Sequence, residues 1–254
     1  MELVLLTALG VGSATVAGSL LGFAFQKISH RFSDLVLSFA AGVMLAAAVI
    51  GLIVPSLEYG SGPLALPVTV LGIFCGAFCL TLLDKLVPHL HRLSGAGQEE
   101  SHPAGNEKLN KVLLFVMAIA IHNLPEGIAA GVGFGTGNKG EALIIAAGIA
   151  LQNIPEGMVI IAPMLAAGMP RSRTFLLAMM TGVVEVLGTL LGYFAVSLST
   201  AVLPFALAFA GGTMLYVIGD EMIPETHAHG GERGATYFLL AGFCLMLAMS
   251  HYLG

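Results

Sequence analysis

Residues 120–127, Ala-Ile-His-Asn-Leu-Pro-Glu-Gly, recur as Ala-Leu-Gln-Asn-Ile-Pro-Glu-Gly at 150–157. In each copy the first polar residue and the glutamate stand four apart, so His122 shares a helix face with Glu126, and Gln152 with Glu156. Asn123 and Asn153 sit beside those faces. A third carboxylate, Glu185, lies in another apolar run. Carboxylates, one imidazole and carboxamide oxygens, with no thiolate, suit a divalent cation of intermediate hardness such as zinc, manganese or iron(II). Glu126 and Glu156 have the reach to bridge two adjacent ions. Three clustered carboxylates cannot all stay ionised without metal, so loading is expected to displace a proton. Pro125 and Pro155 leave the carbonyls of Ile121 and Leu151 without a helical donor, which is tolerated at depth only where they line a cavity or find a partner.

Each residue also has a bland explanation. A lone His122 would be a satisfied core histidine, but its spacing from Glu126, repeated with the same Asn, Pro and Gly, favours a ligand. Glu185 could be a packing residue hydrogen-bonded to a neighbour, and Met44 is a packing methionine on spacing alone. Asp34, Glu58, Asp84, Asp220, Glu221 and Glu225 fall near the ends of apolar runs, where a solvated carboxylate needs no function. His89 and His91, like His227 and His229, are spaced His-x-His and could bind metal loosely; a solvated loop explains them equally well.

The elements that must position these groups are membrane helices. The 254 residues are 57% apolar and 10% charged, with a mean hydropathy of +0.92, whereas ordinary globular chains carry about 25% charged residues. A helix needs about 20 mostly apolar residues to cross a bilayer. Eight runs qualify, near 3–25, 35–55, 64–83, 112–134, 142–165, 174–197, 200–219 and 235–253. The expected fold is therefore an all-α polytopic membrane protein, one membrane domain over 1–254, with 84–111 as a mobile cytosolic loop containing His102. With eight spans, Lys27, Arg31, Lys85, Arg92, Lys108, Lys111, Arg171, Arg173 and Arg233 fall on one side and only Lys139 on the other. That bias places both termini outside the cytosol of an inner or plasma membrane.

The 33 glycines include small-xxx-small pairs at Gly18 and Gly22, Gly72 and Gly76, Gly127 and Gly131, and Gly188 and Gly192, which give neighbouring helices a groove. Cys75, Cys79 and Cys244 lie in apolar runs and read as packing residues, and the basic residues are too scattered for nucleic acid. No cleavable leader is expected, since Glu2 replaces a basic start.

At His122-Asn-Leu-Pro-Glu-Gly127 and Gln152-Asn-Ile-Pro-Glu-Gly157 the sequence resembles the ZIP (Zrt/Irt-like) divalent-metal transporters, in particular their prokaryotic GufA-like branch. The resemblance runs through nearly the whole chain, including Met-Ile-Pro-Glu at 222–225. It implies eight transmembrane helices in a 3+2+3 arrangement, the first three and last three forming an inverted repeat. It also implies a two-metal site between the fourth and fifth helices. One ion would be held by His122, Glu126, Gln152 and Glu156 with Met44 nearby, and its neighbour by Asn123, Glu126, Asn153, Glu156 and Glu185. The first, fourth, fifth and sixth helices would move as a bundle against the others. Many members carry a second histidine where Gln152 stands and a stronger ligand where Asn153 stands; both differences weaken the hold on an ion.

The expected function is import of zinc into the cytosol, with cadmium, iron and manganese as further candidates. The metal is cargo, and no cofactor is expected. The path would start at outward-facing acids such as Asp34 and leave toward Asp220, Glu221, Glu225 and the cytosolic histidines. The expected partners are metal ions and the lipid bilayer; pairing into a homodimer is compatible with this fold. The rival classes are an intramembrane zinc hydrolase, whose His-Glu-x-x-His pattern is absent from the sequence, and a metal sensor.

Overall fold

The computed structural model describes residues 1–25, 29–93 and 105–253. Among them every regular element is helical: α1 (Glu2–Ala24), α2 (His30–Ala46), α3 (Val54–Tyr59), α4 (Ala65–Leu93), α5 (Gly105–Gly133), α6 (Lys139–Val159), α7 (Ile161–Ala166), α8 (Arg171–Leu198), α9 (Leu203–Val217), α10 (Ile223–His227) and α11 (Glu232–Leu253). Helices are what a chain of this hydropathy must form, because each satisfies its own backbone where no water can. Seven stretches are long and apolar enough to cross a membrane: Glu2–Ala24, His30–Tyr59, Gly62–Leu83, Lys139–Ala166, Arg171–Leu198, Thr200–His227 and Glu232–Leu253. The remaining expected span falls in α5, a helix of 29 residues whose polar face carries His122, Asn123 and Glu126.

Two spans are longer than their apolar runs suggest. The second runs without a break from α2 through a π-helical stretch, Ala47–Ile53, into α3. The seventh runs from α9 through another π stretch, Ile218–Met222, into α10, carrying it to His227 rather than 219. Each π stretch is followed closely by a proline, Pro55 or Pro224, whose missing N–H disturbs the regular ladder. The expected loop over 84–111 is shorter than its composition suggests: α4 continues to Leu93 and α5 begins at Gly105. Leu83, Leu86, Leu90 and Leu93 keep a helical period beyond the apolar run. Residues 94–104, with His102, and Lys27 lie outside the described residues.

The helices pack as two matching sets. α1 lies along α6 as α5 lies along α8; α2 lies along α11 as α4 lies along α9; α1 and α8 pack on each other. Glycine sets the spacing. A Cβ at Gly157, the last residue of the second repeat, would strike the carbonyl oxygen of Thr15, and one at Gly127 would strike that of Glu185. Main chains that close are held by dispersion and by the lack of side chains between them. The main apolar cluster joins α2, α5, α6 and α9 through residues such as Met44, Ala129, Ile149 and Met214. The outer surface is studded with large apolar side chains, among them Leu66, Phe74, Phe78, Leu191 and Leu198, as a lipid-facing surface must be.

Candidate metal centre

The repeats bring their polar residues together where α5, α6 and α8 meet. His122, Asn123, Glu126, Gln152, Asn153 and Glu185 are all buried. Glu156 is partly exposed because it faces a cavity of about 540 Å³. His122, Glu126 and Glu156 line its inner part; Asp220, Glu221 and Glu225, from the π stretch and α10, line the rest. Asp220 and Glu225 are exposed, so carboxylates run in sequence from the protein surface to the buried repeats. The π turn widens the helix where Asp220 and Glu221 project, a distortion common at functional sites. His122 Nε2 stands 2.8 Å from Glu221 Oε1.

Deeper, α1 and α8 supply the supports. Asn123 Nδ2 donates to the Thr181 carbonyl at 3.4 Å and Asn153 Nδ2 to the Val11 carbonyl at 3.3 Å. Asn153 Nδ2 also donates to Glu185 Oε1, and Thr15 Oγ1 donates to Glu185 Oε2 at 3.0 Å. With both amide nitrogens engaged, the Oδ1 atoms of Asn123 and Asn153 have no protein donor, nor do both oxygens of Glu126 or Oε1 of Gln152. Glu126 is close enough to Glu156 and Glu185 to feel their charge, and Gln152 lies against it. Five buried oxygens without a donor, one carboxylate pair among them, each cost about 1–3 kcal/mol or more unless something positive satisfies them. A divalent cation does so with the donor chemistry already present. The ligand set is not preassembled: among the described residues no three His, Cys, Asp or Glu side chains form a ready coordination group. His122 is turned toward Glu221, while Glu185 is held by Thr15 and Asn153.

The other expected site residues separate into groups. Met44 is fully buried in α2 within the apolar cluster and does not line the cavity. Asp34 is not at the far end of a path from the histidines. Its Oδ1 lies 3.2 Å from His229 Nδ1, and His30 packs on the His229 ring at 5.2 Å. The start of α2 and the turn before α11 thus share one end of the molecule. Helix direction decides this: α2 starts at the end where α10 finishes. His227 bonds the Ile223 carbonyl at 2.9 Å and Thr236 at 3.2 Å, a local cap. His89 and His91 lie on α4, with side chains outside the described residues. Glu58 lines a second cavity of about 230 Å³ with Glu141, Pro55, Met246 and Ser250. Sequence reasoning missed Thr15, Val11 and Thr181; the trace was hydroxyl residues set among the glycines of α1 and α8.

Comparison with known proteins finds relatives along most of the chain. The profile described as ZIP Zinc transporter matches residues 93–250. The chain is 40% identical to the zinc transporter GufA of Myxococcus xanthus, covering 98% of each chain. It is 39% identical to the zinc transporter ZIPB of Bordetella bronchiseptica over 95% of this chain and 78% of that one. The identity to the zinc transporter ZupT of Chlorobium chlorochromatii is 36%, over 92% of this chain and 91% of the relative. These relatives are transporters rather than enzymes, which leaves the hydrolase without support. A buried, doubled Asn-x-Pro-Glu-Gly motif on paired helices and relatives of this similarity lead to one conclusion: the chain belongs to the ZIP family of zinc transporters.

Proposed function

We propose that this protein imports zinc into the cytosol through a two-ion site between α5 and α6. The observation that carries this is the set of donorless buried oxygens on Asn123, Glu126, Gln152 and Asn153, of which Glu126 lines a carboxylate-lined cavity together with His122 and Glu156. The first ion is assigned to His122, Glu126, Gln152 and Glu156, with Met44 behind them. The second is assigned to Asn123, Glu126, Asn153, Glu156 and Glu185. Carboxylate, imidazole and carboxamide donors also accept iron(II) and manganese, and cadmium is a further competitor.

α5 serves as the eighth crossing in a 3+2+3 arrangement. Supporting this is the matched packing of α1 on α6 and α5 on α8, and of α2 on α11 and α4 on α9, the signature of an inverted repeat. The cavity lies toward the end carrying Arg31, Lys85, Arg171, Arg173 and Arg233. The positive-inside bias makes that end cytosolic, so both termini face outward and the site faces the cytosol through Asp220, Glu221 and Glu225. Asp34, with His229, then belongs to the cytosolic mouth. An oxygen-rich shell holds the ion loosely enough to release it.

The test is zinc uptake into sealed proteoliposomes containing the purified protein, with cadmium, iron(II) and manganese as competitors. Accumulation above protein-free vesicles, lost in Glu156→Ala, is expected. Equal accumulation with and without protein would overturn the assignment.

A further inference from the structure

We propose that Thr15 is the positioning residue for the second-ion site, holding the Glu185 carboxylate in its ligand orientation; this rests on the assignment of Glu185 to that site. Thr15, Glu185 and Asn153 are buried, with exposures of 1%, 0% and 0%. A threonine inside a helix ordinarily turns its hydroxyl back to its own chain. Thr181, Thr189, Thr213 and Thr226 all do so, bonding carbonyls three or four residues earlier. Thr15 does not. The carbonyl four residues before it, that of Val11, accepts Asn153 Nδ2 instead, and the Thr15 hydroxyl crosses to Glu185 Oε2 at 3.0 Å.

Thr15 and Glu185 also hold equivalent places in the two halves. Gly157 of the second repeat packs on the Thr15 carbonyl as Gly127 of the first packs on the Glu185 carbonyl. Three residues on, Gly18 packs on Ile154 as Gly188 packs on Leu124. One half thus presents a carboxylate at this place and the other presents the hydroxyl that orients it. A hydroxyl is suited to the task because it donates one hydrogen bond and adds no charge, leaving the other lone pairs of Oε2 for a cation. Asn153 joins the two: its nitrogen holds Val11 and Glu185, while its Oδ1 has no protein donor. Thr15 therefore acts through Glu185 and touches no ion itself.

The test is equilibrium dialysis of the detergent-purified full chain against zinc, for the parent, Thr15→Val, Thr15→Ser and Glu185→Gln. The parent should bind two ions with separable affinities. Thr15→Val, which keeps the shape and removes the donor, should weaken the class that Glu185→Gln removes about tenfold or more and leave the other class unchanged, while Thr15→Ser stays within about twofold of the parent. If the valine variant does not fold, Thr15→Cys, a weak donor of similar bulk, replaces it. Parent-like binding by Thr15→Val, with one class lost in Glu185→Gln, would overturn the role of Thr15 and leave Glu185 as a ligand. Parent-like binding by Glu185→Gln, or a single ion in the parent, would overturn the ligand assignment and the role of Thr15 with it.

Discussion

His122 presents Nε2 to Glu221 Oε1 at 2.8 Å, so the imidazole proposed to hold the first ion is engaged by a carboxylate from the π-helical stretch before α10. An arriving ion must exchange with that contact, and a departing ion meets Glu221 next. Glu221→Gln weakens the competitor and the onward ligand together. Zinc uptake kinetics should show a lower half-saturation concentration, by about threefold or more, with a reduced maximal rate. Half-saturation and rate both equal to the parent would show that the pair has no part in ion transfer.

Glu126, like Glu156, is assigned to both proposed ions, and its two oxygens are buried with Gln152 lying against them. Its replacement therefore separates stability from function. Glu126→Gln should abolish uptake and, in metal-free detergent solution, raise stability by about 1 kcal/mol or more, since a buried charge is removed at nearly constant volume. A thermal melt and an uptake assay on the same preparation check both. A destabilised variant would mean that Glu126 has a structural partner.

Where the two repeats differ, Gln152 offers a neutral oxygen opposite the His122 imidazole. Gln152→His should tighten the first site, lowering the half-saturation concentration and also the maximal rate, because a tighter ion leaves more slowly. An imidazole binds metal only when unprotonated, and its ordinary pKa is about 6.5. Uptake by the variant should therefore fall more steeply than that of the parent as pH drops from about 7.5 to about 5.5. Identical profiles would make Gln152 a packing residue.

Gly127 and Gly157 close the motif at points where a Cβ would strike main-chain oxygens of α8 and α1. No rotamer relieves a clash between backbones, so Gly127→Ala or Gly157→Ala should lower stability by about 1–3 kcal/mol and reduce uptake through displaced ligands. Melting temperatures that match the parent would show that the helix pairs can separate without cost.

Much of this protein was legible before folding was considered. Hydropathy alone demands membrane helices, and the fixed period of the α-helix sets His122 over Glu126 and Gln152 over Glu156 wherever those helices lie. What no spacing could supply is the rotation and depth of one helix against the next. The Thr15 hydroxyl on Glu185 and the Glu221 carboxylate on His122 join residues far apart in the chain. Asp34 meets His229 in the same way, at the end where the charge tally puts Arg31 and Arg233. Those phases are decided by which glycines let main chains touch, as at Gly127 and Gly157, and by π turns that shift the residues after them by a fraction of a turn. Both depend on the partner surface, which exists only once the bundle has formed.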